Sequence, residues 1–278
     1  MSTQVLLVEC DDRRGLVHAI TGVLLKHGVN VVGNHEFVDR ASARFFMRTE
    51  FDGAVAASQL EAEVREALPP NASVRLSDLK PKRIVVLVSK EHHCLGDILI
   101  RHAFDELNAH VLAVISNHDV LGPLAAKFKL PFHHLSHEAF SRPEHEAAML
   151  KIIEPLQPDF LVLAKFMRVL SPDFVDRFPA RIVNIHHSFL PAFVGAKPYQ
   201  QAFERGVKVI GASAHFVTEK LDEGPLIVQQ VIPVDHTHTA RDLSQAGRDV
   251  EQMVLARALR LVLEDRVFLC DNRTVIFD

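Results

Sequence analysis

The chain has 278 residues, of which 48% are hydrophobic, and a formal net charge of −4. This length is typical of one or two domains with a sizeable core. The acidic balance and the lack of a long Lys/Arg block argue against a nucleic-acid-binding surface. No apolar run is long enough for a membrane helix, and the N-terminus lacks a signal-peptide pattern. We therefore expect a cytoplasmic protein that binds neither nucleic acid nor membrane.

The cysteines and histidines form no metal-ligand pattern. The three cysteines, Cys10, Cys94 and Cys270, are far apart and odd in number, which argues against a disulfide framework. Many of the 17 histidines occur in pairs, but none belongs to an H-E-x-x-H or Cys/His ligand set. We predict no metal site.

The N-terminal residues alternate between short apolar strands and amphipathic helices. Apolar residues at helical spacing begin near Leu16 and end before Gly28, and the same spacing recurs over residues 58–68. Strands are predicted at residues 4–9, 29–38, 43–51 and 73–78. The order βαββαβ predicts a ferredoxin-like unit. Residues 79–82 form a linker, so we place the two domains at residues 1–80 and 81–278.

A second pattern begins with the continuous apolar run at residues 83–90, which is typical of a buried parallel strand. Strands are then predicted at residues 110–116, 132–135, 159–164 and 181–185, and helices at residues 95–107, 121–128, 143–153 and 172–177. This alternation predicts an α/β domain with a doubly wound, mostly parallel, Rossmann-like sheet. Strands at residues 213–217 and 226–234, a long helix at 239–263 and a hairpin at 267–277 complete the chain.

Residues 183–229 carry the side chains that acyl chemistry needs. Asn184 and His186 alternate at the end of a predicted strand, so both side chains point to the same face. His215 and Asp222 follow in a segment closed by Gly224 and Pro225. A carboxylate and an imidazole handle the proton of a nucleophile, and amide or imidazole donors hold the oxyanion of a tetrahedral intermediate.

The order of elements in residues 1 to about 78 resembles the ACT domain, with DDRRG before the first helix and HGVNVV after it. The resemblance implies a module that pairs across subunits, giving a homodimer or homotetramer, and that binds an amino acid. Asp12, Gly15 and Asn30 would lie at the effector site. Glycine and methionine are candidate effectors because both report on one-carbon supply. A purely structural dimerising module is the alternative.

The second domain contains NIHxSxLPxxxG followed by GxxxHxVxxxxDxGP, which resembles the catalytic core of the folate-dependent formyltransferase superfamily. The resemblance implies a formyltransferase fold in which Asn184 and His186 bind the formyl oxygen and its oxyanion. Asp222 would pair with His186 and handle the proton of the nucleophile. The residues expected to support this site are His187, Ser188, Gly195 and His215.

The segment LAKFMRVLSPDF resembles the folate-binding segment of the same superfamily. Backbone groups of Arg168, Val169 and Leu170 would bind the pterin, with Met167 nearby and Val217 on the opposite wall. The folate would be the substrate, and no permanently bound cofactor is expected.

One segment departs from the ribonucleotide formyltransferases. Those enzymes have a Gly/Ser/Asn-rich loop after the first strand, whose N–H groups cradle a phosphate. Here the loop reads SKEHHCLG, with Gly96 late in the stretch and Glu91 where a phosphate would lie, although Lys90 could attract an anion. An acceptor ribonucleotide is therefore not expected to bind.

An ACT-like domain joined to this core and to HHSFLPAFVGAKPY resembles the formyltetrahydrofolate deformylases, in which His187 and residues 196–199 are characteristic. The resemblance implies hydrolysis of 10-formyltetrahydrofolate to formate and tetrahydrofolate, with formate supplied to one-carbon and purine metabolism. Two alternatives stay open, namely formyl transfer to an unidentified amine and a catalytically silent protein that senses folate or an amino acid.

Overall fold

The computed structural model describes residues 3–53, 55–191 and 198–278. The chain divides into two compact units. The first comprises residues 1–80, 264–270 and 275–278, and the second comprises residues 81–263 and 271–274. This division differs from the sequence-based boundary, which placed all residues after 80 in the second domain.

The first unit has the predicted βαββαβ order. Its elements are β1 (Thr3–Asp11), α1 (Leu16–Lys26), β2 (Asn30–Asp39), β3 (Arg44–Asp52), α2 (Ala57–Glu66) and β4 (Ser73–Ser77). The strands form an antiparallel sheet in the order β2-β3-β1-β4. Apolar residues of α1, α2 and one face of the sheet form a single core, which includes Leu6, Ile20, Phe51 and Leu60. The ferredoxin-like prediction is confirmed.

The last strands of the chain, β12 (Val267–Cys270) and β13 (Arg273–Ile276), pair as a two-stranded sheet. Phe46 points away from the core of the first unit and packs with Phe268, Cys270 and Phe277. Beside it, the buried Arg48 guanidinium donates to the carbonyl oxygens of residues 264 and 265. Successive strand residues face opposite sides, so the outer face of β3 needs the C-terminal residues to cover Phe46.

The second unit is built on a mostly parallel sheet, as predicted. Its strands are β5 (Lys82–Val88), β6 (Ala109–Ser116), β7 (Phe132–His134), β8 (Phe160–Leu163), β9 (Ile182–His186), β10 (Val209–Phe216) and β11 (Leu226–Pro233). Their order is β11-β10-β9-β8-β5-β6-β7, with the five strands from β9 to β7 parallel and β10 and β11 antiparallel. This architecture brings the carboxyl ends of β5, β8 and β9 to one edge.

The helices of this unit are α3 (His93–Ala103), α4 (Gly122–Lys127), α5 (Arg142–Leu156), α6 (Pro172–Val175), α7 (Pro198–Glu204) and α8 (Ala240–Leu263). The sequence predicted each of them except α7, which is too short to show an amphipathic repeat. Thr239 precedes α8 and exchanges hydrogen bonds with Asp242, as expected of an N-cap. Within the described residues, no helix is long and apolar enough to cross a membrane.

Candidate active site

Asn184 and His186 lie at the carboxyl end of β9, where the sequence placed them. Antiparallel pairing with β10 sets His215 opposite Asn184 and Ser213 opposite His186. The pairing therefore adds His215 to the face that carries Asn184 and His186. Asp222 reaches the same point from the loop between β10 and β11, with its Oδ2 3.3 Å from His186 Nδ1.

The backbone of this loop is held in an unusual conformation. Asp222 has a φ of 56°, in the left-handed region that non-glycine residues rarely occupy. Two residues later, Gly224 passes so close to β10 that a Cβ atom would lie 1.8 Å from the carbonyl oxygen of Phe216. Glu223 O accepts a hydrogen bond from Asn272 Nδ2. Strained residues persist where surrounding contacts hold them, and they cluster at functional sites.

His215 fixes the orientation of Asn184. Its Nδ1 lies 2.8 Å from the carbonyl oxygen of Phe216 and its Nε2 lies 3.1 Å from Asn184 Nδ2. A neutral ring with the proton on Nδ1 satisfies both contacts, because Nε2 then accepts from the amide. Asp222 Oδ1 is 3.6 Å from the same Nε2, which is too long for a hydrogen bond. His215 is thus placed to position Asn184, and its supporting role stays a prediction.

The electrostatics favour an ionised Asp222 beside His186. Burial by itself raises the pKa of this carboxyl, but its contacts with His186 and His215 together outweigh burial and lower the pKa below its usual value. With Nδ1 directed at Asp222, the buried Nε2 of His186 has no hydrogen-bond partner within the described chain. An imidazole with one nitrogen held by a carboxylate and the other free is suited to bind a reacting group.

These side chains line a cavity of about 640 Å³ together with the predicted folate-binding residues. The shared lining includes Asn184, His186, Asp222, Met167, Arg168, Val169, Leu170 and Val217. Met167 donates its backbone N–H to Ser89 Oγ. In contrast, no hydrogen bond in the described part of the chain involves the backbone of residues 168–170. The cavity wall therefore presents unpaired backbone groups beside the Asn184, His186 and Asp222 side chains.

The remaining supporting residues have distinct positions. Ser188 is buried, and its carbonyl oxygen accepts from Ser213 Oγ. His187 stacks on His186 with ring centroids 4.8 Å apart and planes 18° from parallel. Gly195 lies outside the described residues.

A smaller cavity of about 480 Å³ adjoins the first, and its lining contains a buried ionic network that the sequence did not predict. Glu251 of α8 is 1% exposed at its side chain and lies 3.1 Å from the Lys165 ammonium. The same carboxylate lies 2.6 Å from both Tyr199 Oη and His93 Nε2. In the sequence, the signal that could have indicated this network was Glu251, an acidic residue next to Val250 on the apolar side of the predicted helix.

Some side chains in and next to this network are close enough together to be considered as metal ligands. His93, Cys94 and Glu251 place one ligand atom each within 4.8 Å, the only such group among the described residues. However, the carboxylate already faces an ammonium, a phenol and an imidazole. Burial also raises the pKa of the Cys94 thiol, which favours the protonated, poorly ligating form. These contacts favour a network of hydrogen bonds and ion pairs rather than a metal-ion site.

The predicted effector residues do not come together within the first unit. Gly15, with a φ of 87°, precedes α1, and Asp12 lies just before it, whereas Asn30 follows the other end of the helix. Eleven helical residues span about 16 Å. Asn30 pairs with Asp52 at the carboxyl end of β3, and Asp11 pairs with Arg44 at the amino end of the same strand. The turn at Asp12 and Gly15 and the strand start at Asn30 are thus separate positions in one chain.

Two family models match the chain. The ACT domain model matches residues 4–68, and the Formyl transferase model matches residues 82–259. The first covers most of the ferredoxin-like unit, and the second covers the parallel sheet with its active-site candidates.

Whole-chain comparisons agree with these matches. The formyltetrahydrofolate deformylase of Escherichia coli (strain K12) is 53% identical over 276 residues, which cover 99% of each chain. The crystal structure of formyltetrahydrofolate deformylase from Burkholderia mallei matches with a TM-score of 0.94 and 41% identity over 100% of both chains. Glycinamide ribonucleotide transformylase 1 from Symbiobacterium toebii matches 73% of this chain and 97% of its own, with a TM-score of 0.68 and 34% identity. The chain therefore belongs to the formyltetrahydrofolate deformylase family of hydrolases.

Proposed function

We propose that this protein hydrolyses 10-formyltetrahydrofolate to formate and tetrahydrofolate, with Asn184, His186 and Asp222 as its catalytic residues. One observation carries the proposal. The His186–Asp222 pair, with a free imidazole nitrogen, lies in the same cavity as the unpaired backbone at residues 168–170. A proton-handling pair beside a pterin-sized wall of backbone donors and acceptors is what a formyl-folate hydrolase requires.

The folate would enter the larger cavity with its pterin against this wall. The backbone N–H and C=O groups of Arg168, Val169 and Leu170 offer donors and acceptors to the pterin edge. Val217 adds an apolar surface to the lining of the same cavity. This placement brings the formyl group at N10 toward His186 and Asn184.

The bond changes follow from this geometry. The Nε2–H of a protonated His186 and the amide of Asn184 donate to the formyl oxygen as it gains negative charge. The ionised Asp222, whose pKa is lowered, holds the imidazolium and accepts a proton from the attacking water. The water oxygen bonds to the formyl carbon, the bond from that carbon to N10 breaks, and N10 receives the proton. Formate leaves after its remaining acidic proton passes to solvent.

The loop after β5 supports water as the acceptor. Glu91 lines the smaller cavity, where its carboxylate lies 3.3 Å from Arg248 Nε and 3.8 Å from His93 Nδ1. An anionic side chain at this position disfavours a phosphorylated acceptor by charge repulsion. Because a phosphorylated acceptor is disfavoured, we assign water as the nucleophile that attacks the formyl carbon.

The test is incubation of the purified protein with 10-formyltetrahydrofolate and no amine, with formate and tetrahydrofolate measured separately. We expect equal amounts of the two products. Formyl transfer that appears only when an amine, such as an amino sugar, is added would instead support a transferase. Folate binding without turnover would indicate a sensing protein.

The first unit supports a regulatory and pairing role. β2 is an edge strand of its sheet, and it exposes Val32 and Phe37. Unpaired backbone groups on an edge strand are a template for pairing with a second copy. We therefore propose a homodimer or homotetramer. Light scattering should give a mass of twice or four times the 31.1 kDa of one chain.

We further propose that glycine or methionine binds near the turn at Asp12 and Gly15. The left-handed backbone at Gly15 precedes α1 and exposes the first N–H groups of that helix. Either amino acid is expected to change the rate or the melting temperature of the wild type, and Asp12→Ala to weaken the response. No response to either would make the unit purely structural.

A further inference from the structure

The smaller cavity meets the larger one at four residues, Lys165, Met167, Arg168 and His187, which line both. A folate in the larger cavity would occupy the space next to His186 and Asp222. The smaller cavity, which holds no part of that substrate in this placement, shares His187 with the larger one, and the His187 ring stacks on His186. It therefore offers a path for a small nucleophile to the formyl carbon.

His187 stands at the junction of this path with the reaction centre. Its ring stacks on His186 at 4.8 Å and lies 6.5 Å from the Tyr199 ring. Among the residues that the structure describes, neither of its nitrogens has a hydrogen-bond partner. The half-buried His187 ring is contacted by neighbouring rings, and its two nitrogens are available to bind a ligand.

The surroundings of His187 keep this imidazole neutral. Burial is the main cause, and the Lys165 ammonium and the neighbouring His186 add to it, so the pKa of His187 falls to about 4. Glu251 and Asp222 act in the opposite direction and are outweighed. A neutral ring has one nitrogen that only accepts a hydrogen bond.

The buried ionic network anchors the charge next to His187. Lys165 adopts a φ of 64°, a left-handed conformation that non-glycine residues rarely occupy. Glu251 holds its ammonium, and Tyr199 and His93 hold Glu251. Gly247 makes room for the phenol, because a Cβ atom there would lie 2.2 Å from Tyr199 Oη. The whole arrangement fixes a cation at the junction of the two cavities.

We propose that the smaller cavity delivers the nucleophilic water and that His187 accepts a hydrogen bond from it, which orients the water toward the formyl carbon. The inference rests on the proposed hydrolysis and assigns the water its second contact. One hydrogen of the water goes to Asp222 as the oxygen attacks. The other is directed to the unprotonated nitrogen of His187, so that an oxygen lone pair faces the carbon. Proton transfer to His187 is not required.

Replacement of His187 separates this role from packing. His187→Phe keeps a ring against His186 and removes both nitrogens, and His187→Asn restores a polar side chain without the ring. We expect His187→Phe to lower kcat about 100-fold, as for a misplaced reactant, with the KM for 10-formyltetrahydrofolate within about threefold of wild type. His187→Asn should recover part of the loss. His110→Asn, on an exposed residue at the start of β6, is the control and should match wild type.

A second nucleophile gives a readout that packing would not change. Hydroxylamine attacks the formyl carbon through nitrogen and forms formohydroxamic acid and tetrahydrofolate. Hydroxylamine attacks through nitrogen, so its orientation does not depend on the hydrogen bond that a water O–H donates to His187. His187→Phe should therefore impair hydrolysis more than hydroxylaminolysis. The ratio of formohydroxamate to formate should rise about tenfold. An unchanged ratio together with an unchanged kcat would overturn the assignment. A rise in KM with kcat preserved would also overturn it. A wild type that releases no formate would instead refute the proposed hydrolysis.

Discussion

Removal of the Glu251 carboxylate is expected to destabilise the second unit strongly. The Glu251 side chain is 1% exposed and that of Lys165 is 9% exposed. Glu251→Gln would leave the Lys165 ammonium buried without a counter-charge. Breaking one partner of a buried ion pair typically costs about 3–5 kcal/mol. For a unit of this size that corresponds to a loss of about 6–20 °C in Tm.

The lowered pKa of Glu251 gives a similar estimate of the free energy that its ionised carboxylate contributes to folding. Burial by itself raises this pKa, but His93, Lys165 and Tyr199 outweigh it and lower the value from 4.5 to about 2. A carboxyl whose pKa is lower in the folded state stabilises that state at pH values above its unfolded pKa. The difference corresponds to about 3 kcal/mol. This stabilisation is present at pH 7 and is lost as the pH falls from 4.5 toward 2.

Urea unfolding at pH 7 would measure the effect in Glu251→Gln, Lys165→Met and the double variant. The double variant removes both charges. Its loss of unfolding free energy should therefore be smaller, by at least about 2 kcal/mol, than the sum of the losses in the two single variants. Glu154→Gln is the matched control. Its carboxylate also pairs with a cation, Arg177, but both side chains are at least half exposed, so a change within about 0.5 kcal/mol is expected.

Two results would refute the reasoning. One is a cost below about 1 kcal/mol for Glu251→Gln, which would mean that the pair is solvated in solution. The other is strict additivity of the two single variants. A third comparison is the difference in stability between wild type and Glu251→Gln, which should narrow as the pH is lowered from 4.5 toward 2.

The other predictions concern the catalytic loop and the first unit. Asp222→Asn, which keeps the shape and loses the base, should lower kcat for formate release by about 10³-fold, while tetrahydrofolate binding measured by fluorescence is retained; loss of both would indicate misfolding. Gly224→Ala should displace the loop from the Phe216 carbonyl and lower kcat about 100-fold, and a wild-type rate would show that the loop adapts. Arg48→Met leaves one buried and one part-buried carbonyl oxygen without their donor, and it should cost about 2–4 kcal/mol in urea unfolding. A cost below about 0.5 kcal/mol would contradict this.

Local patterns in the sequence predicted most of the secondary structure because hydrophobic periodicity reports which face of an element is buried. The strands and helices of the first unit and the strands of the parallel sheet all appear in the predicted order. Boundaries shifted by a few residues, as in α3, which begins at His93 and ends at Ala103 against a prediction of 95–107. The polar His93 extends its start, whereas the helix ends before the predicted residue 107. The helix α7 had no periodic signal in its seven residues.

The assignment of the C-terminal residues depended on tertiary structure. Residues 264–270 and 275–278 belong to the first unit because they cover Phe46 and accept hydrogen bonds from Arg48. In the sequence, Phe46 and Arg48 are merely the outward residues of an alternating strand. Nothing local indicates that a segment more than 200 residues away packs on them.

The sequence by itself determined the chemical type of the site, since Asn184, His186 and Asp222 occur in an ordered pattern around a strand end and a tight loop. Only the tertiary structure decided how they meet, because the antiparallel register of β10 and the left-handed loop at Asp222 set their distances. The same holds for the buried network. Lys165 and Glu251 are far apart in the chain, and no local pattern pairs them, but folding removes both from water and makes each the necessary partner of the other.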